Sequence, residues 1–564
     1  MNAPAVTDKR ATGSAPDTSG RTADDNPVER TPVLIVGGGP VGLAVAGDLG
    51  WRGVECILIE RGDGAISQPK MDLLGIRTME FCRRWGIVDE VENAGYNRDH
   101  PQDYAWVSAL SGGYEFGREP FPPPHDEPTP PQSPQHRERQ PQNFFDPVIA
   151  RFAARQASVS LRYRTELVAI TEHEAHVSAQ VRDLGTGRVR TIEANYVAAC
   201  DGGGSRIRES LGIALPQDTV LTYTSNAIFR SDTLWQVADV RPGYRFIFIG
   251  LEGTWCTIVA VNGRDQFRFS LVGDGSRRML DAQAVREAIV RAVGRPFDFE
   301  VLSIMPWTRR EFVADRYGSR RIFLVGDAAH LNSPTGAFGM NTGMQDAVDI
   351  GWKLAARLQG WGGDRLLESY EAERRPVALR NVKEATANLE RMLSPRTRKP
   401  PATLLDDTPE GEAARRAFGD TYTAMMKQEW FTIGIHLGYV YEGSPVIVPD
   451  GTPPPPDEVM TYTQTARPGS RSPHAWIAPG RSTLDLFGRG FVLLQFDRSV
   501  DVTPLVGAAG RCGLPLAVEP IDNADIAALH ERRLVLVRPD GHVAWRGDHL
   551  PDDCHALVDR ARGA

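Results

Sequence analysis

Apolar residues fall along this chain in runs, and the length and spacing of those runs predict its elements. Pro32, Val33, Leu34, Ile35 and Val36 follow one another without polar alternation, the pattern of a strand covered on both faces of a parallel sheet. A glycine turn comes next, then a helical stretch to about Gly50, and residues 54–59 repeat the buried-strand pattern. Strand, helix and strand in that order predict an α/β frame. Residues 215–302 read differently. Short runs such as Arg245-Phe246-Ile247-Phe248-Ile249 and Thr257-Ile258-Val259-Ala260-Val261 suit an antiparallel sheet inserted into that frame. Helical periodicity dominates residues 342–392, and the last block alternates strand-like runs (Phe491 to Phe496, Leu534 to Val537) with helical ones.

Polar and proline-rich segments mark the boundaries. The first residues, to about Glu29, carry hardly any large apolar side chain, which predicts a disordered tail over 1–30. Between 119 and 141 proline recurs (Pro122, Pro123, Pro124, Pro130, Pro131, Pro134), and a residue type that fixes φ and lacks an N–H makes this a long loop. Such a loop either covers an active site or runs over the surface; both readings stay open. The expected division is a discontinuous frame domain over 31–214 and 303–395, the inserted sheet over 215–302 with contributions from 95–140, a connecting segment over 396–468, and a small α/β domain over 469–564.

Composition narrows the function. With 564 residues, 41% apolar and 24% charged, the chain is neither disordered nor fibrous. A net charge of −8 gives no electrostatic case for nucleic acid or an anionic membrane. No apolar stretch approaches the roughly 20 residues of a membrane span, and the N-terminus lacks a secretory pattern, so a cytoplasmic location is expected. Cys56, Cys82, Cys200, Cys256, Cys512 and Cys554 show no CxxC spacing, which argues against disulfides and against a metal site.

Gly37-Gly38-Gly39-Pro40-Val41-Gly42 satisfies GxGxxG directly after a buried strand and at the start of a helix. Gly37 permits the tight turn, Gly39 lets the backbone approach a pyrophosphate, and Gly42 allows close helix–strand packing. The helix start offers free N–H groups and partial positive charge to that pyrophosphate, and Pro40 costs nothing where no intrahelical partner exists. Glu60, ending the second strand with Arg61 after it, is placed to accept from a ribose diol. Its charge would repel a 2′-phosphate, so the tightly bound dinucleotide is expected to be FAD or NAD.

Two further segments choose between those. Arg321-Ile322-Phe323-Leu324-Val325-Gly326-Asp327-Ala328-Ala329-His330, then Ser333-Pro334-Thr335-Gly336-Ala337-Phe338-Gly339-Met340-Asn341-Thr342-Gly343, resembles the second flavin-binding motif of the class A flavoprotein aromatic hydroxylases. Cys200-Asp201-Gly202-Gly203-Gly204-Ser205-Arg206-Ile207-Arg208 is similar to their Asp-Gly motif. The resemblance spans residues 31–390 and, more loosely, the last block, which looks like the thioredoxin-like C-terminal domain of the phenol and polyketide hydroxylase branch. It implies a Rossmann-like FAD-binding domain with an inserted antiparallel-sheet substrate domain, plus a C-terminal thioredoxin-like α/β domain. It also implies that Gly37, Gly39, Pro40, Gly42, Glu60, Arg61, Lys70, Gln142, Asp201, Gly202, Gly326, Asp327, Pro334, Gly336, Ala337, Gly339, Met340 and Asn341 hold FAD. Gln142 enters through Gln142-Asn143-Phe144-Phe145-Asp146-Pro147-Val148-Ile149, which is similar to the family's Gln-x3-Glu-x2-Leu segment. Physical chemistry is consistent: Asp327 can accept from a ribityl hydroxyl, and the helix after Gly336–Gly343 would favour the anion of a reduced flavin. Ser333 stands where the family often has Pro, Ala337 where it has Gly, and Asp349 where it has Asn.

Aligning Arg77-Thr78-Met79-Glu80 on the family's helix start puts Asp72 where phenol hydroxylases carry an active-site aspartate. The resemblance then implies an FAD-dependent, NAD(P)H-consuming monooxygenase. It would hydroxylate a phenolic or other electron-rich aromatic with O₂ through a C4a-hydroperoxyflavin, Asp72 accepting the phenol's proton. With one fingerprint visible, NADPH or NADH is expected to visit transiently. Baeyer–Villiger oxygen insertion into a polyketide-like ketone, and a flavin-binding protein without turnover, are the alternatives. Tyr223, Trp255 and Trp307 are candidate pocket aromatics, His330 is expected to pack, and lone Cys512 excludes dithiol chemistry in the last domain. A small aromatic substrate is the expected partner, with a homodimer left open.

Overall fold

The computed structural model describes residues 28–66, 68–273 and 280–564. The tail expected over 1–30 lies, but for its last three residues, outside them. Glu29 already belongs to the first strand, Glu29–Val36, and accepts from Arg162 Nη1 at 2.7 Å. The apolar run Val33–Val36 is buried because strands lie on both sides of it: Cys56–Ile59 on one, Val189–Ala199 on the other, all parallel. Val159–Arg162 extends the sheet beyond Cys56–Ile59, and Ile322–Leu324 pairs with the end of Val189–Ala199, again in parallel. The strand ends carrying Gly37, Glu60, Cys200 and Val325 therefore open on one edge, where ligands of open α/β sheets bind.

Two helices cross that edge. Pro40–Trp51 and Phe338–Leu358 approach so closely that a Cβ on Gly343 would sit 2.6 Å from the Val41 side chain, and one on Gly351 would sit 2.5 Å from Asp48 Oδ2. The helical text of 342–392 is in fact two helices, Phe338–Leu358 and Arg365–Thr397, broken around Gly360, whose φ of +83° suits glycine.

The second sheet has eight strands, with Tyr104–Val107 and Glu115–Glu119 at one end of it. Its longest strand, Glu300–Val313, runs past the expected boundary at 302 and returns the chain toward the flavin motif. Side chains alternate across this sheet. Phe246, Phe248, Cys256 and Ile258 pack with Val285 and Ile289 of helix Ala282–Val293, while Ile247, Ile249 and Val259 face Leu389, Met392 and Trp430. The latter face carries the cavity described below. Residues 396–468, read as a connector, contribute helix Pro409–Trp430 to it.

In the C-terminal domain Phe491–Gln495 pairs in parallel with Leu516–Pro520 and antiparallel with Leu534–Val537, which pairs with Val543–Gly547. Thr503–Arg511 joins the parallel pair and Cys554–Arg562 ends the chain, giving the thioredoxin-like order. Buried charges dock this domain. Arg538 reaches both Glu373 oxygens at 2.6 and 2.9 Å and Asp349 at 3.3 Å, and Lys353 Nζ holds Asp349 at 2.7 Å. Asp349, where the family has Asn, shares these two cations with Glu373, and burial pushes its carboxyl up to about 7. Arg471 pairs with Glu80, which also holds Arg77 at 2.7 Å, and Arg77 donates to the Asp540 carbonyl. Among the described residues no helix is long and apolar enough to cross a membrane.

Glu80 makes a testable case. Burial by itself would raise its carboxyl, but Arg471 and Arg77 outweigh burial and bring it to about 2. A depressed acid stabilises the fold fully above its ordinary value of about 4.3 and loses that contribution as pH falls toward 2. Glu80→Gln leaves two buried guanidinium groups undercompensated and is expected to cost about 3–5 kcal/mol at pH 7. Urea unfolding at pH 7 and pH 4 checks this: the gap between variant and wild type should narrow at the lower pH.

Candidate functional site

The glycine turn is a cradle built from backbone. Gly37, at φ +110°, lies so near the next strand that a Cβ there would stand 2.3 Å from the Cys200 carbonyl; at Gly42 a Cβ would stand 2.0 Å from Gly37 O. Gly39 has nothing within 4 Å of such a Cβ, so its backbone faces open space at the start of the helix that Pro40 begins. Glu60 Oε2 accepts from Gly38 N at 2.7 Å and Oε1 from Gly62 N at 2.6 Å, which fixes the carboxylate beside the cradle while each oxygen keeps a lone pair. Arg61, next to it, is exposed. Across the cradle Asp201 Oδ2 accepts from Ile207 N at 3.2 Å, but Oδ1 is buried with no partner, and Gly202 opens on free space. Gly326, at φ +63°, packs on Val41. Burial raises the Asp327 carboxyl, which the charges of His330 and Lys70 reach. An orphaned carboxylate oxygen, an open glycine backbone and a helix start around one groove fit the pyrophosphate, ribose and ribityl groups of FAD.

The second loop leads into the helix that packs on Val41, beside the glycine turn. Pro334, Gly336 and Ala337 line a cavity of about 550 Å³, and Gly339, Met340 and Asn341 form the first turn of the following helix. Ala337 caps that helix at φ +58°, in the left-handed region; this backbone, more than a methyl near the ring, is why glycine suits the position. The Asn341 side chain is fully engaged. Its Oδ1 accepts from Gly75 N at 2.8 Å and Thr78 Oγ1 at 2.7 Å, and its Nδ2 donates to Leu73 O at 3.0 Å and Ala337 O at 2.7 Å. Only its backbone is left for a flavin, while its amide clamps the segment bearing Asp72 onto the loop.

Lys70 and Asp72 line the same cavity. Lys70 N donates to Gln142 Oε1 at 3.1 Å, and Gln142 Nε2 donates to Asp146 Oδ2 at 3.0 Å. Burial pushes the Asp146 carboxyl up to about 7, a feature that the motif match at Gln142 did not disclose. Asp72 lies between Arg268 Nη2 at 3.0 Å and Arg139 Nη1 at 3.4 Å. Burial pushes its carboxyl up, but these arginines, with a hydrogen bond from Tyr244, outweigh burial and hold it below the ordinary carboxylate value. Asp72 is therefore ionised at neutral pH.

The rest of the wall comes from segments with no readable motif. Phe121, Pro128 and Pro130 of the proline-rich loop line the cavity, with Arg245, Arg268, Trp307 and Arg309 from the sheet. Trp430, Phe431 and His436, from the expected connector, close it. Of the candidate aromatics only Trp307 reaches it. Trp255 packs on the opposite sheet face under Arg291, and Tyr223 does not line the cavity. His330 is buried against Asp346 at 2.6 Å, a packed histidine.

The FAD binding domain family matches residues 30–385, and the aromatic-ring hydroxylase C-terminal family matches 465–564. A 4-methyl-5-nitrocatechol 5-monooxygenase of a Burkholderia species is 31% identical, covering 95% of this chain and 98% of its own. Aklavinone 12-hydroxylase DnrF of Streptomyces peucetius is 33% identical over 82% of this chain and 90% of its own. Among solved structures, RebC soaked with chromopyrrolic acid and holding 7-carboxy-K252c superposes with a TM-score of 0.89 at 40% identity, over 95% of this chain and all of that one.

The left-handed Ala337 gives a prediction. A non-glycine residue there costs about 1–2 kcal/mol, and a β-branched one costs more. Ala337→Gly should keep or raise the FAD content of the purified protein and its melting temperature, whereas Ala337→Val should lower both. Flavin absorbance per protein and thermal melting read the two outcomes.

Proposed function

The chain belongs to the FAD-dependent aromatic-ring hydroxylases, and on that premise we propose that it hydroxylates a phenolic or other electron-rich aromatic, with NAD(P)H as electron donor and O₂ as oxidant. The observation that carries this reading is the ionised Asp72, held by two arginines in the wall of a cavity whose other wall is the flavin loop. Bound FAD supplies the redox chemistry, accepting a hydride and passing one atom of O₂ to the ring. Gly37–Gly42, Glu60, Asp201 and Asp327 would hold its dinucleotide and ribityl parts; the loop from Pro334 to Asn341 would hold its ring.

The chain's own residues do the rest. Asp72 accepts the hydrogen bond of the substrate hydroxyl and draws its proton toward Oδ, which raises electron density at the ortho and para carbons where an electrophilic oxygen attacks. Its low proton affinity makes it an orienting acceptor that does not retain the proton. Arg139 and Arg268 fix the carboxylate, and Asn341 fixes its strand against the flavin loop. Phe121, the prolines of its loop and Trp430 exclude water, which would otherwise compete for Asp72 and for the reactive oxygen. A cavity of about 150 Å³ suffices for benzene, so about 550 Å³ has room for a flavin ring and an aromatic substrate side by side.

Asp72→Asn removes the charge and keeps the shape. We expect FAD content unchanged, product formation lowered by about 10²–10⁴-fold, and a larger share of NAD(P)H oxidation ending as hydrogen peroxide. Because Asp72 stays ionised across the neutral range, its loss should leave the shape of the pH–rate profile between about pH 5 and 9 unchanged. Equal product from wild type and variant across a panel of fused-ring phenols would remove Asp72 from the reaction.

A further inference from the structure

The cavity wall carries more positive charge than its own carboxylates balance. Lys70, Arg137, Arg139, Arg245, Arg268 and Arg309 face Asp72, Glu127 and Glu429, with Arg137 held by Glu127 at 2.7 Å. Asp72 is shared by Arg139 and Arg268, and Glu429 Oε1 accepts from Arg245 Nη1 at 2.7 Å. Arg309 is left over. Only 8% of it is exposed, its Nε and Nη1 are buried with no hydrogen-bond partner, and it forms no ion pair among the described residues. Burial first, then the charges of Arg245 and Arg268, lower its guanidinium to about 10. A buried guanidinium without a counter-charge is costly, and proteins keep such groups where a ligand completes them.

Position says which ligand. Arg309 and Trp307 lie two residues apart on strand Glu300–Val313, so they share the face that looks into the cavity. Asn226, on the neighbouring strand Thr219–Arg230, lines the same wall, and its Oδ1 is likewise buried without a partner. None of the dinucleotide cradle (Gly37, Gly39, Gly42, Glu60, Asp201) lines the cavity, so the phosphates of FAD do not supply the missing negative charge. Glu429 Oε2 is also unpartnered and its charge reaches Arg309, but Glu429 is already held by Arg245, and six cations against three carboxylates leave the wall three positive charges in excess. A planar fork of N–H donors matches a carboxylate in a two-pronged pair.

We propose that the substrate is an aromatic carboxylic acid, whose carboxylate docks on Arg309 while Asn226 accepts a hydrogen bond from a hydroxyl or N–H of the same molecule. This deepens the hydroxylase reading and rests on it for the fate of the ligand, but binding can be measured without turnover. The probes are 3-hydroxy-2-naphthoate and its methyl ester, titrated into the FAD-loaded enzyme and followed by flavin absorbance and fluorescence. The acid should bind about tenfold or more tighter than the ester. Arg309→Gln should abolish that preference, leave ester affinity and FAD content unchanged, and be partly rescued by Arg309→Lys. An acid no tighter than the ester, or a preference that survives R309Q, overturns the proposal. Should neither probe bind, melting of the FAD-loaded forms decides: R309Q should melt higher than wild type, because an uncompensated charge has been removed, and an equal or lower melting temperature overturns the proposal. Tight, Arg309-dependent binding of the acid with no NAD(P)H-dependent product from any fused-ring acid would count against the hydroxylase reading alone.

Discussion

The close approach of two helices governs this structure. Phe338–Leu358 can lie against Pro40–Trp51 only because Gly343 and Gly351 present no side chain where Val41 and Asp48 stand. That contact brings the start of the second helix, with its free N–H groups, to the same sheet edge as the glycine cradle. Asn341 extends the arrangement by one step. With all four of its hydrogen-bond positions taken up by Gly75, Thr78, Leu73 and Ala337, it sets the height of Asp72 above the loop.

Charge is organised on two levels. Between domains, two buried arginines are matched, Arg538 by Glu373 and Asp349 and Arg471 by Glu80. These groups gain little over an apolar interface of the same shape, but once buried each depends on its partner, so the thioredoxin-like domain is locked to the helices that carry the flavin loop. In the cavity the matching is incomplete. Arg309, in the cavity wall, has no such partner among the described residues.

The sequence made the frame legible wherever local chemistry is decisive. A double-sided sheet needs an unbroken apolar run, so Val33–Val36 declares its strand. A turn where a Cβ would stand 2.3 Å from a neighbouring carbonyl admits only glycine, so Gly37 declares its turn. Other positions were legible in identity but not in role. Asn341 was read toward the flavin and is turned by its neighbours toward Gly75 and Leu73. Asp72 was read as a base and stands between two arginines that depress its proton affinity. Arg139 and Arg268 lie 67 and 196 residues from it along the chain, and no local pattern connects them.

What the amino-acid sequence determined by itself was the α/β frame, the glycine turn after its first strand and the glycine-rich start of the second helix, because each depends on backbone geometry that short segments encode. The tertiary structure alone decided the cavity. Its walls come from a proline-rich loop, side chains of six strands of the second sheet and a helix read as a connector, and whether a given arginine there is neutralised or free depends on which distant carboxylate the fold brings beside it.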